Sequence, residues 1–208
     1  LLHTDAVQGF MKTGRRIADL GADMVSISGH KIHAPKGVGA LYVRKGIRVC
    51  PRMIGGGQED GLRSGTENLP GISSFGTAAK TADDNKDKYL KTVSQVNECV
   101  RKSITEMCPE VLFNSGDDGF AKHILSISIP GVRSEIMLRY LSERGIYVSA
   151  GSACSSKHAD NRVLTNFGLD DARADSTLRL SFSRFNTADE AKEFAAVLAQ
   201  GIKRLKLQ

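Results

Sequence analysis

The sequence predicts an α/β chain built in two parts, and three observations carry that expectation. Strand, helix and strand follow one another near the start, an order that implies a parallel sheet flanked by helices. From about Leu69 the pattern turns helical, which marks the passage from a first domain, 1–85, into a second, α+β domain, 86–208. Near the end, Thr187 and Glu190 stand at capping-box spacing ahead of one apolar stripe, Ala191, Phe194, Ala195, Leu198, Ile202 and Leu205.

In chain order, 1–3 reads as the end of a strand, 15–20 as a short helix closed by Gly21, and 24–27 as a buried strand. Ligands collect beyond the carboxyl ends of parallel strands, and Asp5 and Lys31 fall just past such ends. The turn 33–37, with Pro35 and Gly37, leads into a strand over 38–43, and 54–66 reads as a long glycine-spaced loop. Leu90, Val93, Val96, Val100, Ile104 and Met107 then keep helical spacing until Pro109. The second domain continues with a strand over 124–129, a helix over 134–144 and strands over 146–149 and 177–182.

With 208 residues the chain can bury roughly 70% of its unfolded surface, enough for a substantial core. Its 40% hydrophobic and 25% charged residues are those of a globular protein and exclude a disordered or fibrous one. The net charge of +6 comes from scattered residues, the densest groups being Arg15 with Arg16 and Lys203, Arg204 with Lys206. That pattern lacks the one-sided footprint of a nucleic-acid binder and suits anionic ligands instead. No apolar run approaches the ~20 residues of a membrane span, so no membrane partner is expected. Cys50, Cys99, Cys108 and Cys154 form no CxxC pair and no zinc-ligand spacing. Neither a metal site nor a disulfide scaffold is expected, and a reducing, cytoplasmic setting is.

Lys31 follows Val25, Ser26, Ile27 and Ser28, so its amine is expected at a strand end in a partly dry site, where it could form an imine. Upstream stand Asp5, a carboxylate able to hold a pyridinium proton, and Gln8, able to bond a phenolic oxygen. Ser28 and His30 can donate to a phosphate. Together these groups suit pyridoxal 5′-phosphate. Taken singly, Lys31 reads as a solvated lysine and Asp5 with Gln8 as caps of a turn. Cys154 lies among Gly, Ser and Ala with no apolar periodicity, which predicts an exposed loop and a reactive thiol. Cys99 and Cys50 read as small buried hydrophobes. Arg179 shares one polar face of an alternating strand with Thr177 and Ser181, an ordinary solvated sheet face when taken alone. The glycines over 55–65 fit no phosphate-loop or dinucleotide fingerprint and shape the backbone around Thr66.

Five motifs stand in order: His3-Thr4-Asp5-Ala6-Val7-Gln8, Ser28-Gly29-His30-Lys31, Arg63-Ser64-Gly65-Thr66, Ser152-Ala153-Cys154 and Leu178-Arg179-Leu180-Ser181. In this order they resemble the cysteine desulfurases, pyridoxal-phosphate enzymes of the class V aminotransferase family with the type I fold. The resemblance spans essentially the whole chain. It implies that 1–85 is the C-terminal part of a large domain with a parallel or mixed sheet that binds the cofactor, and that 86–208 is the small C-terminal domain. It makes Lys31 the Schiff-base lysine, Asp5 and Gln8 the holders of the ring, and Ser28 and His30 the phosphate ligands. By the same resemblance Thr66 reaches the cofactor phosphate of a neighbouring subunit, so a homodimer is implied, and Arg179 binds the substrate α-carboxylate.

The implied reaction removes sulfur from L-cysteine. The Cys154 thiolate attacks the substrate Sγ, L-alanine is released, and the persulfide passes to a sulfur-acceptor protein, an iron–sulfur scaffold or a sulfur carrier for tRNA or thiamine. Two rival readings stand beside it: an inactive fragment that serves as a dimerisation or acceptor-binding module, and a selenocysteine lyase. The chain opens at Leu1 without an initiator Met. An upstream half is therefore expected to be missing, together with any targeting signal and, by the resemblance, a histidine that stacks on the ring.

Overall fold

The computed structural model describes residues 1–116, 119–150 and 161–206. They fall into two compact units, Leu1–Lys88 and Tyr89–Gln208.

In the first unit β1 (His3–Asp5) lies parallel to β2 (Met24–Ser28), with Asp5 opposite Ser26, and β3 (Gly39–Val43) lies antiparallel to β2. The sheet is therefore mixed, where the strand order alone suggested a parallel one. Only residues 29–38 join β2 to β3, fewer than a parallel crossover requires. Pairing with β2 also extends β1 beyond His3, so that Asp5 is the last residue of the strand and does not lie past it. The helix expected over 15–20 is a single 3-10 turn, Ile17–Leu20, because Gly21 at φ 62° ends it before a second turn can close. Arg16 and Asp19 pin its start through the Arg16 amide and an exposed ion pair of 3.0 Å. A second 3-10 turn, Gly29–Ile32, follows β2 directly. The glycine-spaced loop contains a third, Gln58–Gly61, in which Glu59 and Asp60 both take positive φ.

Helix α1 (Leu69–Asp84) is started by Asn68, whose side chain accepts from the Gly71 amide at 3.1 Å, and by Pro70 in its first turn. A break at Asn85 separates it from α2 (Lys86–Met107), so the helical stretch beginning at Leu69 is two helices. Val25, Ile32, Phe75 and the small Ala22 and Ala82 form the buried apolar set of this unit, while Leu41, Tyr42, Met53 and Ile54 are exposed.

The second unit is an antiparallel sheet, ordered β4-β5-β7-β6, with its helices packed over an apolar face. Its strands are β4 (Leu112–Phe113), β5 (Ile124–Ser128), β6 (Ser149–Ala150) and β7 (Thr177–Ser181). The further helices are α3 (Ser134–Ser142), α4 (Asn161–Asn166), α5 (Asp171–Asp175) and α6 (Ala188–Lys206). Leu125 and Ile127 of β5 and Leu178 and Leu180 of β7 alternate onto one face. They join Val100 and Ile104 of α2, Met137 and Leu141 of α3, and Phe194 and Leu198 of α6 in one core.

Helix α3 stops at Ser142, two residues short of expectation, because the Gly145 amide turns back to the Ser142 carbonyl with Gly145 at φ 76°. The strand expected over 146–149 pairs only at Ser149 and Ala150, while Ile146 and Val148 pack against the core from the preceding loop. At Gly201 of α6, a Cβ would lie 2.8 Å from Tyr140 Cε1, so α3 and α6 approach each other where no side chain intervenes.

The capping box of α6 forms as read. The Thr187 amide donates to Glu190 Oε2 at 2.8 Å, and the Glu190 amide donates to Thr187 Oγ1 at 3.3 Å. Replacing Thr187 with alanine is expected to cost about 1 kcal/mol of stability, measured by thermal melting against the parent chain.

Candidate functional site

In the first unit the carboxyl ends of β1 and β2 gather Asp5, Ser26, Ser28, His30 and Lys31. Asp5 and Ser26 face each other across the parallel register, and Ser28, two residues on, shares that face. His3 reaches Ser26 Oγ through Nε2 at 2.8 Å, and Ser28 Oγ bonds His30 Nδ1 at 2.7 Å. Lys31 lies half-buried within the 3-10 turn after β2, one turn beyond the strand end where the sequence placed it. Its amine makes no hydrogen bond to a described residue.

That turn is held by packing. Gly29 is buried, donates its amide to the Val38 carbonyl at 3.0 Å and accepts from Ala34 at 3.1 Å. A Cβ at Gly29 would meet Val38 Cγ1 at 3.0 Å, Ala34 Cβ at 3.1 Å and Phe75 Cδ2 at 3.2 Å. Glycine thus lets the turn seat against the start of β3 and against α1, which fixes where His30 and Lys31 project.

Asp5 Oδ1 accepts from the Val7 amide at 2.9 Å, so the carboxylate caps the turn that follows β1, as its plainer reading held. Its second oxygen accepts from no described residue. Gln8 is exposed in that turn, and its side chain makes no hydrogen bond to a described residue. Thr66 is also exposed, ahead of α1, and bonds to none of these groups.

Sequence reasoning missed Lys12. The chain after Asp5 coils from Ala6 to Thr13, with the Phe10 amide on the Ala6 carbonyl at 2.8 Å and the Lys12 amide on the Gly9 carbonyl at 3.0 Å. Phe10 locks this coil against Phe75, ring edge to ring face at 6.3 Å, and Met11 adopts φ 58°. Lys12 is half-buried, and burial first, then the charge of Lys31, pushes its amine below the usual lysine range. No residue pattern around Lys12 signals this, because the coil that carries it is set by Phe10 and the backbone.

In the second unit Arg179 stands in the middle of β7, opposite Ser126 of β5 on one side and Ser149 of β6 on the other. Its Nη2 donates to Ser149 Oγ at 3.2 Å, whereas its Nε is buried and donates to no described residue. Beside it on the same face, Ser128 and Thr177 share a hydroxyl bond of 2.7 Å. Asn114 Nδ2 donates to Ser128 Oγ at 2.8 Å and Ser126 Oγ at 3.2 Å, and Arg173 Nε donates to Asn114 Oδ1 at 2.8 Å. Thr177, on the polar face read from alternation, is therefore part of a connected network.

Cys154 lies outside the described residues. Cys50 is exposed, contrary to its reading as a buried hydrophobe, because its neighbour Pro51 lies in an exposed connection outside any strand or helix. Cys99 is half-buried, and Cys108 is buried, its thiol pushed up to about 11 by burial and then by Glu110. Among the described residues no group of three or more His, Cys, Asp and Glu is placed to hold a metal, and no helix is long and apolar enough to cross a membrane.

A lysine-bearing turn beyond the ends of parallel strands in one unit, with an antiparallel α+β sheet carrying a half-buried arginine in the other, has the features of an α/β enzyme of the type I pyridoxal-phosphate fold. Residues 1–194 match the family described as Aminotransferase class-V, and the chain belongs to that family, whose members are pyridoxal-phosphate enzymes. The chain is 37% identical over 207 residues to "Cysteine desulfurase IscS" of Rickettsia bellii, covering 98% of this chain and 50% of that protein. It superposes on a structure described as "NIFS-LIKE PROTEIN" with a TM-score of 0.88 and 32% identity, over 99% of this chain and 53% of the other. A structure described as "SspA in complex with cysteine" matches with a TM-score of 0.65 and 35% identity, over 89% of this chain and 51% of the other. The chain spans about half the length of the curated relatives it matches.

Proposed function

We propose that this chain is part of a cysteine desulfurase, with the unit Leu1–Lys88 as the C-terminal part of the cofactor-binding domain and Tyr89–Gln208 as the small domain that carries Cys154. The observation that carries this reading is the cluster at the ends of β1 and β2, where a half-buried amine, a bonded Ser28/His30 pair and the open oxygen of Asp5 stand together. That donor set fits pyridoxal phosphate: an amine for its aldehyde, hydroxyl and imidazole groups for its phosphate, and a carboxylate for its ring nitrogen. When bound, the cofactor supplies an electrophilic aldehyde and an electron sink for bonds at the substrate α-carbon.

The chain's own residues divide the remaining work. Ser28 and His30 would hold the phosphate, Asp5 would hold the proton of the ring nitrogen, and Gln8 would bond the phenolic oxygen. The Lys31 amine moves the proton at Cα. Arg179 binds the α-carboxylate of L-cysteine, for which its unpartnered Nε supports a role. The Cys154 thiolate then attacks Sγ. The S–S bond forms as the Cβ–Sγ bond breaks, and the atoms balance as cysteine plus thiol going to alanine plus persulfide. The persulfide sulfur passes to an acceptor protein, an iron–sulfur scaffold or a sulfur carrier, in the cytoplasm. Thr66, exposed and unbonded to the cluster, serves the cofactor phosphate of a second subunit in a homodimer.

The test is alanine and sulfide release from L-cysteine by the chain supplied with pyridoxal phosphate and a thiol reductant. Alanine is expected in step with cysteine consumed, and Cys154→Ala is expected to lower turnover more than about 10³-fold, as loss of a covalent nucleophile does. Turnover confined to selenocysteine would instead make the protein a selenocysteine lyase. Because the chain spans half the length of its relatives, a second reading is a non-catalytic module that dimerises or binds the acceptor, and no turnover with either substrate would favour it.

A further inference from the structure

Among the described residues Arg179 is gripped from one side. Register places Ser126 and Ser149 on either side of it, yet of the described residues only Ser149 Oγ accepts from its guanidinium, at 3.2 Å to Nη2. Ser126 Oγ is taken by Asn114 Nδ2 at 3.2 Å, and the Ser126 amide by Ser115 Oγ at 3.0 Å, so the β5 side is committed to the sheet's own network. A guanidinium offers Nε–H and one Nη2–H along a common edge, the edge that meets the two oxygens of a carboxylate. Nη2 carries a second hydrogen pointing away from that edge. Ser149 can take this second hydrogen and leave the Nε/Nη2 edge intact, and the buried Nε that donates to no described residue is the unfilled half of that edge. An orphaned buried donor is costly unless a ligand fills it.

We infer that Ser149 is a positioning residue: its hydroxyl fixes the Arg179 guanidinium so that the Nε/Nη2 edge is presented to the α-carboxylate of the amino-acid substrate. This rests on the role proposed above for Arg179 and adds to it a residue, an edge and an orientation. Arginine side chains hold many rotamers, and a guanidinium tethered at one nitrogen has few left to lose when the carboxylate arrives. Ser149 lies on β6, so the tether is built on a sheet strand and not on a loop.

The test compares Ser149→Ala and Ser149→Thr with the parent chain in two measurements. The first is the KM and kcat for L-cysteine. The second needs no turnover: the shift of the ¹⁵N-labelled Arg179 Nε signal on titration with L-alanine, and with ethylamine as the control lacking a carboxylate. Ser149→Ala is expected to raise KM about 10-fold with kcat within twofold, and to weaken the L-alanine response by the same factor, the effect of one hydrogen bond to a charged group. Ser149→Thr, which keeps the hydroxyl, is expected to restore both, and ethylamine to leave the signal in place. Unchanged L-alanine affinity in Ser149→Ala overturns the inference. So does a loss that Ser149→Thr shares, or one that tracks a lowered melting temperature. A chain that releases no alanine from cysteine yet shows the full titration pattern overturns the desulfurase reading and upholds the inference.

Discussion

Replacing Lys31 with alanine is expected to remove the only lysine that borohydride fixes to pyridoxal phosphate, and to lower desulfurase turnover more than about 10³-fold. Half-burial and the absence of a hydrogen-bond partner among the described residues leave its amine available, and the Gly29 packing aims it from the turn. Peptide mapping after reduction should find the cofactor on the peptide that contains Lys31. Lys12 supplies the control. Its amine lies near enough to Lys31 to feel its charge, and burial together with that charge favours its neutral, nucleophilic form. If the label lies on Lys12 in the parent chain, Lys31 is not the attachment point and the site must be redrawn around the coil 6–13. If Lys12→Ala keeps the label and Lys31→Ala loses it, the assignment stands.

The largest loss of stability is expected from the second unit's core. Leu178 is fully buried, lies opposite Ile127 across the β5/β7 ladder and shares a core with residues of α2, α3 and α6. Leu178→Ala removes its buried methyl groups and leaves a cavity, at a cost of about 3 kcal/mol or more. Leu41→Ala is the contrast. Leu41 lies on β3 and is 49% exposed, so the same change is expected to cost less than about 1 kcal/mol. Denaturant melts of both variants test the pair, and equal losses would mean that the two leucines share the same degree of burial in solution.

Features carried by local chemistry were legible in the sequence. Thr187 and Glu190 cap α6 because a capping box is complete within four residues, and Arg179 falls on the polar face because strand alternation depends only on parity. That Ser28 and Lys31 lie close together was legible because strand and turn adjoin in the chain. What escaped depends on pairing or on packing at a distance. The direction of β3 follows from the length of its connection to β2, and the extension of β1 to Asp5 follows from a partner strand twenty residues away. The half-burial of Lys12 depends on Phe10 finding Phe75, and no spacing rule records that contact. Cys50 was misread because a cysteine beside a proline gives no sign of whether its segment will be covered.

The two units have unequal interiors. The second surrounds one contiguous core with strands and the helices α2, α3 and α6, whereas the first leaves Leu41, Tyr42, Met53 and Ile54 in water and seals little beyond Val25, Ile32 and Phe75. Amide exchange should therefore be staggered. Protons on β2 and β3 should trade with solvent through partial openings of low free energy, while those on β5 and β7 wait for the chain to come apart as a whole. Any molecule seated on the Lys31 turn would then register first as slowed exchange in β2, a signature that could be followed without catalysis and without a chromophore.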